Sequence, residues 1–294
     1  MAYHLGRILQ LDFGFDGIAV IVGNETADQR IFNYDPCFPE VSLAEMEASI
    51  TDDDILVANP SFSTHFFGLK CRGHKVMYAQ GFTTFGLLDC GFDLYVSVSE
   101  VVRRSLSSVW GIETPVVPPF IFAENLPHAL PWWQRPVGSV LVSLKGDYSH
   151  QSYMLKRLRS LIAPRYPDVT LDQVLFNDKV AHTELLARVG MHRYFLTLSA
   201  GEGFGLMPLE AMALGCVVMG FDGFGGRDFM RPGKNCATVG YPDLEKLAEQ
   251  MMLCLDSPGY AQSLAESGQE TARSYLYTYE RFRAAWREQF ARII

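Results

Sequence analysis

The sequence predicts an α/β protein made of two Rossmann-like halves, and three observations carry that prediction. Short runs rich in β-branched residues alternate with amphipathic stretches, the pattern of parallel sheets joined by helices. A segment with five prolines, at 118, 119, 127, 131 and 136, fits no periodic element and reads as a linker. A Gly-Phe-Gly turn at 203–205 stands between an apolar run and a helix start, the place where an open α/β sheet binds its ligand. The domains are expected at 1–125 and 126–277, with a closing helix at 278–294.

In chain order, RILQLDF (7–13) and GIAVIVG (17–23) read as strands. SLAEMEASI reads as a helix, with Ser42 and Glu45 at capping-box spacing. DILVANPS, HKVMYAQG and DLYVSVS read as strands that enter loops. Ser99 is placed to N-cap the helix EVVRRSLSSVW, which Gly111 ends. TPVVPPF is a last short strand before the linker. The second half continues with the strands SVLVSLKG, TLDQVLF, RYFLTLSA and CVVMGF, and with a helix at 183–189 that stops at Gly190. Helices follow at 243–255, 259–266 and 279–293. In the last, Tyr279, Phe282, Trp286, Phe290 and Ile293 fall on one face.

The composition removes several classes of function. With 48% hydrophobic and 20% charged residues, the chain has ample apolar surface to bury, which excludes disorder. Residues 1–125 hold 7 Lys/Arg against 16 Asp/Glu, a balance of −9, whereas residues 126–294 hold 18 against 17. Without a basic face to release counterions, nucleic acid is not an expected partner, and the acidic first half is repelled by an anionic membrane. No apolar run approaches the roughly 18–20 residues of a membrane span, and the N-terminus lacks a signal-peptide pattern. A cytoplasmic location is therefore expected. The six cysteines form no CxxC pair and no zinc spacing, which suits reduced, buried thiols.

The chemistry concentrates in EGFGLMPLEAMALG, residues 202–215. Gly203 and Gly205 let the backbone turn sharply and approach a ligand. Pro208 suits the first helical position; Glu210 would then be N3, and amides near Phe204, Leu206 and Met207 would face an anion. Glu210 at N3 would also serve any helix by the dipole alone. Glu202 precedes the turn, where no cap geometry explains it. Gly215 ends the helix.

The whole stretch closely resembles the signature E-(x)7-E region of glycosyltransferase family 4, retaining enzymes with the GT-B fold. Glu202 and Glu210 fall on its two glutamates. Gly203, Phe204, Gly205 and Leu206 match its loop, and Pro208, Ala211 and Gly215 match the helix that follows. At lower specificity, DLYVSVSEVVRRSL, MRPGKNCATV and TYERFRAAWREQF are similar to other segments of that family. The resemblance implies two Rossmann-like domains facing across a cleft, with the last helix crossing back to the first domain. It implies that the first domain serves the acceptor and the second a nucleotide diphosphate sugar. Phosphates would meet the loop amides, Glu202 the hydroxyls of the transferred sugar, and Glu210 the ribose hydroxyls. A carboxylate accepts hydrogen bonds and hydroxyls donate them, so the anion and the glutamates divide one ligand between them.

The resemblance further implies front-face transfer with retention, metal-independent and with no cofactor, the donor being UDP-, GDP- or ADP-linked. The acceptor, a glycan, lipid-linked species or small molecule, is left open. The family's R-x(4–5)-K-G motif is matched only at Lys145 and Gly146. Val142, Ser143 and Leu144 stand before Lys145, so the arginine is missing: either Lys145 works alone, or Lys156 or Arg157 reaches in, or the chain is weakly active. His65 and Gln80 follow strand ends and are acceptor-side candidates, His65 in a catalytic role. Gly14, with Gly17, follows the first expected strand and is a candidate for the donor phosphates. Asp52–Asp54 reads as a solvated turn, so no metal site is expected. The rival readings are a sugar-nucleotide epimerase, a nucleotide-sugar-binding protein without turnover and, from GFDGFGG (220–226), a dehydrogenase.

Overall fold

The computed structural model describes residues 2–21, 38–59, 65–82, 87–144, 148–175, 180–276 and 279–294. It opens on a helix, α1 (Ala2–Phe13), where RILQLDF had suggested a strand. The reason lies in the longer period: Leu5, Ile8 and Leu9 are all buried, at i, i+3 and i+4 spacing. Leu, Arg and Gln in this stretch are good helix formers, and a single Ile is too little β-branching to override them. Strand β1 (Ala19–Ile21) pairs in parallel with β2 (Glu40–Ser42). Helix α2 (Leu43–Ser49) starts from Ser42, whose capping box with Glu45 is fully formed.

Strands β3 (Ile55–Ala58), β4 (His74–Ala79) and β5 (Leu94–Ser97) form a three-stranded parallel sheet in that order. The short α3 (Phe67–Lys70) lies between β3 and β4. Ser99 caps α4 (Glu100–Trp110), and Gly111 closes it at φ +67°. Of TPVVPPF only Val116 pairs, as a single bridge to Ser97. The prolines explain the shortness, because they remove ladder donors.

After the linker, β6 (Ser139–Leu144), β7 (Thr170–Leu175), β8 (Tyr194–Thr197), β9 (Val217–Phe221) and β10 (Ala237–Val239) form one parallel sheet ordered β10-β9-β8-β6-β7. Between them run α5 (Tyr148–Ile162), α6 (His182–Gly190) and α7 (Leu206–Ala213). Helices α8 (Leu244–Asp256), α9 (Pro258–Arg273) and α10 (Tyr279–Phe290) complete the chain. Strand β6 is flanked by β7 on one side and β8 on the other, so the strand order reverses between β6 and β8. That reversal is the topological switch point of a doubly wound sheet.

The chain divides into two units, Met1–Phe120 with Tyr277–Ile294, and Ile121–Leu276. In the first, Trp286 and Phe290 of α10 are fully buried, and the Trp286 indole stands edge-on to Tyr78 at 5.0 Å. Arg283 of α10 pairs with Asp12 of α1, its Nε 2.9 Å from Oδ2. This guanidinium holds the Asp12 carboxyl below its ordinary pKa. The core of the second unit is built from β6, β8 and β9 with α5, α8 and α9, around Val142, Leu158, Leu196, Val217 and Leu264. No described helix is long and apolar enough to cross a membrane.

Candidate functional site

The switch point fixes where chemistry can gather in the second unit. Ser143 of β6 sits in register with Thr197 of β8, so the two strands end side by side at their carboxyl edge. The loop after β8 carries Glu202. Lys145, one residue beyond β6, lies outside the described residues, as do residues 146 and 147.

The Glu202 loop is stitched to the loop that follows β9. The Glu202 amide donates to the Gly223 carbonyl at 2.7 Å, and the Gly225 amide donates to the Glu202 carbonyl at 3.0 Å. The two loops approach so closely that a Cβ at Gly225 would lie 2.4 Å from the carbonyl oxygens of Glu202 and Gly203. Gly223 and Gly225 of GFDGFGG therefore serve backbone contact with the glutamate loop. Between them Phe224 adopts φ +67°, ψ −53°, a γ-turn closed by the Gly225 amide on the Gly223 carbonyl at 2.9 Å. This left-handed backbone is strained for a residue with a side chain, and such strain gathers at functional loops. Asp222 holds the turn by accepting from the Phe224 amide at 2.8 Å and from Arg227 Nε at 2.9 Å. The Arg227 guanidinium lies 4.5 Å from the centre of the Phe224 ring.

Below the loop, Phe204 is buried against Phe229 at 5.4 Å and Tyr275 at 5.7 Å. Its ring anchors the loop, so any donor contact from this residue is left to its backbone. Gly205, at φ +90°, then turns the chain into α7 without a side-chain cap. The helix begins at Leu206, two residues before the expected start, which makes Pro208 N3 and Glu210 N5. The proline is tolerated because the first-turn amides have no intrahelical acceptor in any case. Leu206 and Met207 keep their amides at the positive end of the helix dipole, where an anion is favoured. Gly215 ends the helix at φ +76°, and the Cys216 amide reaches back to the Ala211 carbonyl at 2.9 Å.

Glu210 is only 3% exposed. Its Oε1 lies 3.0 Å from Nε2 of His182, the first residue of α6, while its Oε2 is buried with no hydrogen-bond partner among the described residues. A buried carboxylate oxygen left unsatisfied costs free energy, and a ligand hydroxyl placed there would recover it. The bond to Glu210 raises the His182 pKa above its ordinary 6.5, against the opposing effect of burial. His182 was not singled out in the sequence, since nothing in its spacing points to a residue 28 positions on. Arg135 was missed for the same reason. It is buried and donates to the carbonyls of Leu130 (2.7 Å), His192 (2.9 Å), Leu214 (2.6 Å) and Gly215 (3.1 Å). Its charge thus closes the negative end of α7.

Gly14, His65 and Gln80 belong to the first unit, and Lys156 and Arg157 to α5 of the second. Gly14, at φ +79°, terminates α1, so it follows a helix and not the strand whose phosphate-facing loop was expected. Gln80 directly follows β4, at the carboxyl edge of the first unit's sheet. His65 follows β3 further along and stacks on Phe67 at 5.1 Å. Arg157 is engaged with Glu245 of α8 at 3.0 Å, and Lys156 lies over the Tyr153 ring at 5.5 Å. Both belong to the third turn of α5, about 12 Å along the helix from its start. Among the described residues, no cluster of three His, Cys, Asp or Glu side chains is placed to hold a metal ion.

Comparison with known proteins agrees with this geometry. Residues 168–271 match the family described as glycosyl transferases group 1. Over 112 residues the chain is 30% identical to the GtfA subunit of the UDP-N-acetylglucosamine–peptide N-acetylglucosaminyltransferase of Streptococcus gordonii, which is 36% of this chain and 22% of that protein. Among solved structures, a glycosyltransferase from Rickettsia africae ESF-5 superposes with a TM-score of 0.69 at 12% identity, over 99% of this chain and 93% of that one. Pneumococcal O-GlcNAc transferase GtfA, solved in complex with UDP and GlcNAc, gives 0.64 at 15% identity, over 85% of this chain and 59% of that one. The chain thus spans about a fifth of the curated relative and somewhat over half of pneumococcal GtfA. The fold is that of the GT-B glycosyltransferases, and its second unit carries the glycosyl transferases group 1 pattern across the loop and helix that hold Glu202 and Glu210.

Proposed function

We propose that this protein is a retaining, metal-independent glycosyltransferase that moves a sugar from a nucleotide diphosphate sugar to an acceptor hydroxyl. The observation that carries this reading is the buried Glu210 carboxylate, with one oxygen fixed by His182 and the other unpartnered among the described residues, five residues into a helix that has no side-chain cap at its start. A ribose hydroxyl satisfies the open oxygen, and the diphosphate takes the helix dipole. Glu202, held by the loop after β9, orients the hydroxyls of the transferred sugar. Lys145 and the amides of Leu206 and Met207 take the charge that develops on the leaving diphosphate. His65 and Gln80 of the first unit serve the acceptor. In the transfer, a bond forms between the acceptor oxygen and C1 of the sugar, the C1–phosphate bond breaks, and the acceptor proton passes to the departing phosphate oxygen.

The crystallised relative's UDP and GlcNAc make UDP-GlcNAc the first donor to test. The experiment is release of the nucleoside diphosphate from UDP-, GDP- and ADP-sugars with a panel of glycan and alcohol acceptors, followed by NMR of the product's anomeric proton. Release with retained configuration from one base family supports the reading. An inverted product removes the front-face mechanism. Binding of a donor without any release leaves a nucleotide-sugar-binding protein.

A further inference from the structure

The second unit has another concavity, at the end of the sheet opposite Glu202. It is a cavity of about 280 Å³ lined by the tail of the linker, by Gly215 and by one face of α9. The lining segment 128–135 precedes β6, and Gly215 precedes β9 by two residues, so the cavity lies at the amino edge of the sheet. The eight residues of α7 separate it from the Gly205 turn by about 12 Å.

Its walls differ in chemistry. One wall is aromatic: Trp132 and Trp133 sit on a single 3-10 turn with Pro131 immediately before it. Trp132 is fixed, edge-on to Tyr194 at 6.0 Å and under the Arg193 guanidinium at 5.2 Å. Trp133 beside it is 73% exposed. The opposite wall is polar: Gln262, Glu266 and Gln269 recur at i, i+4 and i+7 and so share one face of α9. Gln262 Nε2 already donates to Glu266 Oε1 at 2.9 Å, which fixes both groups. Gly215 and Arg135, whose guanidinium donates to the Leu214 and Gly215 carbonyls, complete the lining.

We propose that this cavity is a saccharide-binding subsite for a neutral pyranose unit, distinct from the donor site. A pyranose has an apolar C–H face and a rim of hydroxyls; an indole matches the first, and amides with a carboxylate match the second. The cavity's volume admits one sugar ring and part of a second. An anionic ligand is disfavoured, because Glu266 lines the wall and the Arg135 cation directs donors from all three of its nitrogens to backbone carbonyls. The inference goes beyond the transferase reading and does not depend on it: a glycan held here would raise the local concentration of an oligosaccharide at the protein, whatever the protein does with it.

The test is saturation-transfer NMR and tryptophan-fluorescence titration of the full chain with maltotriose and with the N-acetylglucosamine trisaccharide. The variants are Trp133→Ala and Gln269→Ala, with Glu202→Ala as the control for the other site. At least one trisaccharide should bind in the millimolar range or tighter. Trp133→Ala should weaken it by about tenfold or more, with an unchanged melting temperature and an unchanged response to UDP. Gln269→Ala should weaken it less, and Glu202→Ala should leave it unaltered. The proposal is overturned if neither sugar binds, or if binding survives Trp133→Ala. It is equally overturned if light scattering shows concentration-dependent self-association that Trp133→Ala abolishes, since the face would then be a contact between copies. Sugar binding that requires Trp133 without any response to nucleotide would uphold this inference and count against the transferase reading.

Discussion

Glu210 uses its two oxygens differently, and this asymmetry makes residue-scale predictions. Glu202→Ala should cost about 2–4 kcal/mol of transition-state stabilisation, read from kcat/KM, if the carboxylate orients the transferred sugar. Unchanged kcat/KM would remove it from the site. His182 supplies a pH test. Its folded pKa is raised by Glu210, so the stabilisation from its proton is fully present below the unfolded value of 6.5 and is lost as pH rises through the higher folded value. The melting-temperature difference between the wild type and His182→Gln should therefore be larger near about pH 6 than near about pH 9. A difference that grows with pH would contradict the pairing. The two glutamates were singled out by the resemblance to the E-(x)7-E region, since by spacing alone Glu210 would serve any helix. His182 was not, because its role exists only once α6 packs beside α7. Phe204 was legible as part of the loop, yet its ring turned out to be an anchor, a fact that depends on Phe229 and Tyr275 far along the chain.

At the scale of elements, α7 is held at both ends by groups outside it. The loop after β9 supports its start, and Arg135 closes its end through the Leu214 and Gly215 carbonyls. Arg135→Met keeps the length of the side chain but leaves four carbonyls, three of them buried, without this donor. It should destabilise the second unit by about 2–5 kcal/mol in urea unfolding. A loss below about 0.5 kcal/mol would show that water replaces the guanidinium without cost. Caps were the elements' most readable feature: Ser42, Ser99 and Gly111 all stand where local chemistry puts them. The first element was misread because RILQL taken alone is an apolar run with no decisive period. Only inclusion of Leu5 brings out the helical spacing. The helix boundary at Leu206 was misplaced because Pro208 is tolerated equally at N1 and at N3.

Across the whole molecule, the first unit is discontinuous in sequence. Its core takes Phe282, Trp286 and Phe290 from α10, the face that periodicity had marked as apolar. Trp286→Ala should destabilise that unit by about 3–5 kcal/mol while leaving the unfolding of the second unit in place. Trp286→Phe should cost much less, because the buried indole Nε1 has no hydrogen-bond partner to lose among the described residues. Equal losses for both variants would contradict the packing. The α/β class, the two-unit plan and the switch-point loop could be read from alternation, prolines and glycines. The strand order could not, since β6 gains β7 and β8 as neighbours only through long-range pairing.

The most direct test of the account is thermal melting of the wild type and of Glu210→Ala with UDP, GDP and ADP. A ligand at about 100 times its Kd adds roughly 2.7 kcal/mol to stability, which raises the melting point of a domain of this size by several degrees. The account predicts such a rise with one nucleotide for the wild type, and a clearly smaller rise for Glu210→Ala relative to its own unliganded melting point. No rise with any nucleotide, or an equal rise in both proteins, would contradict it.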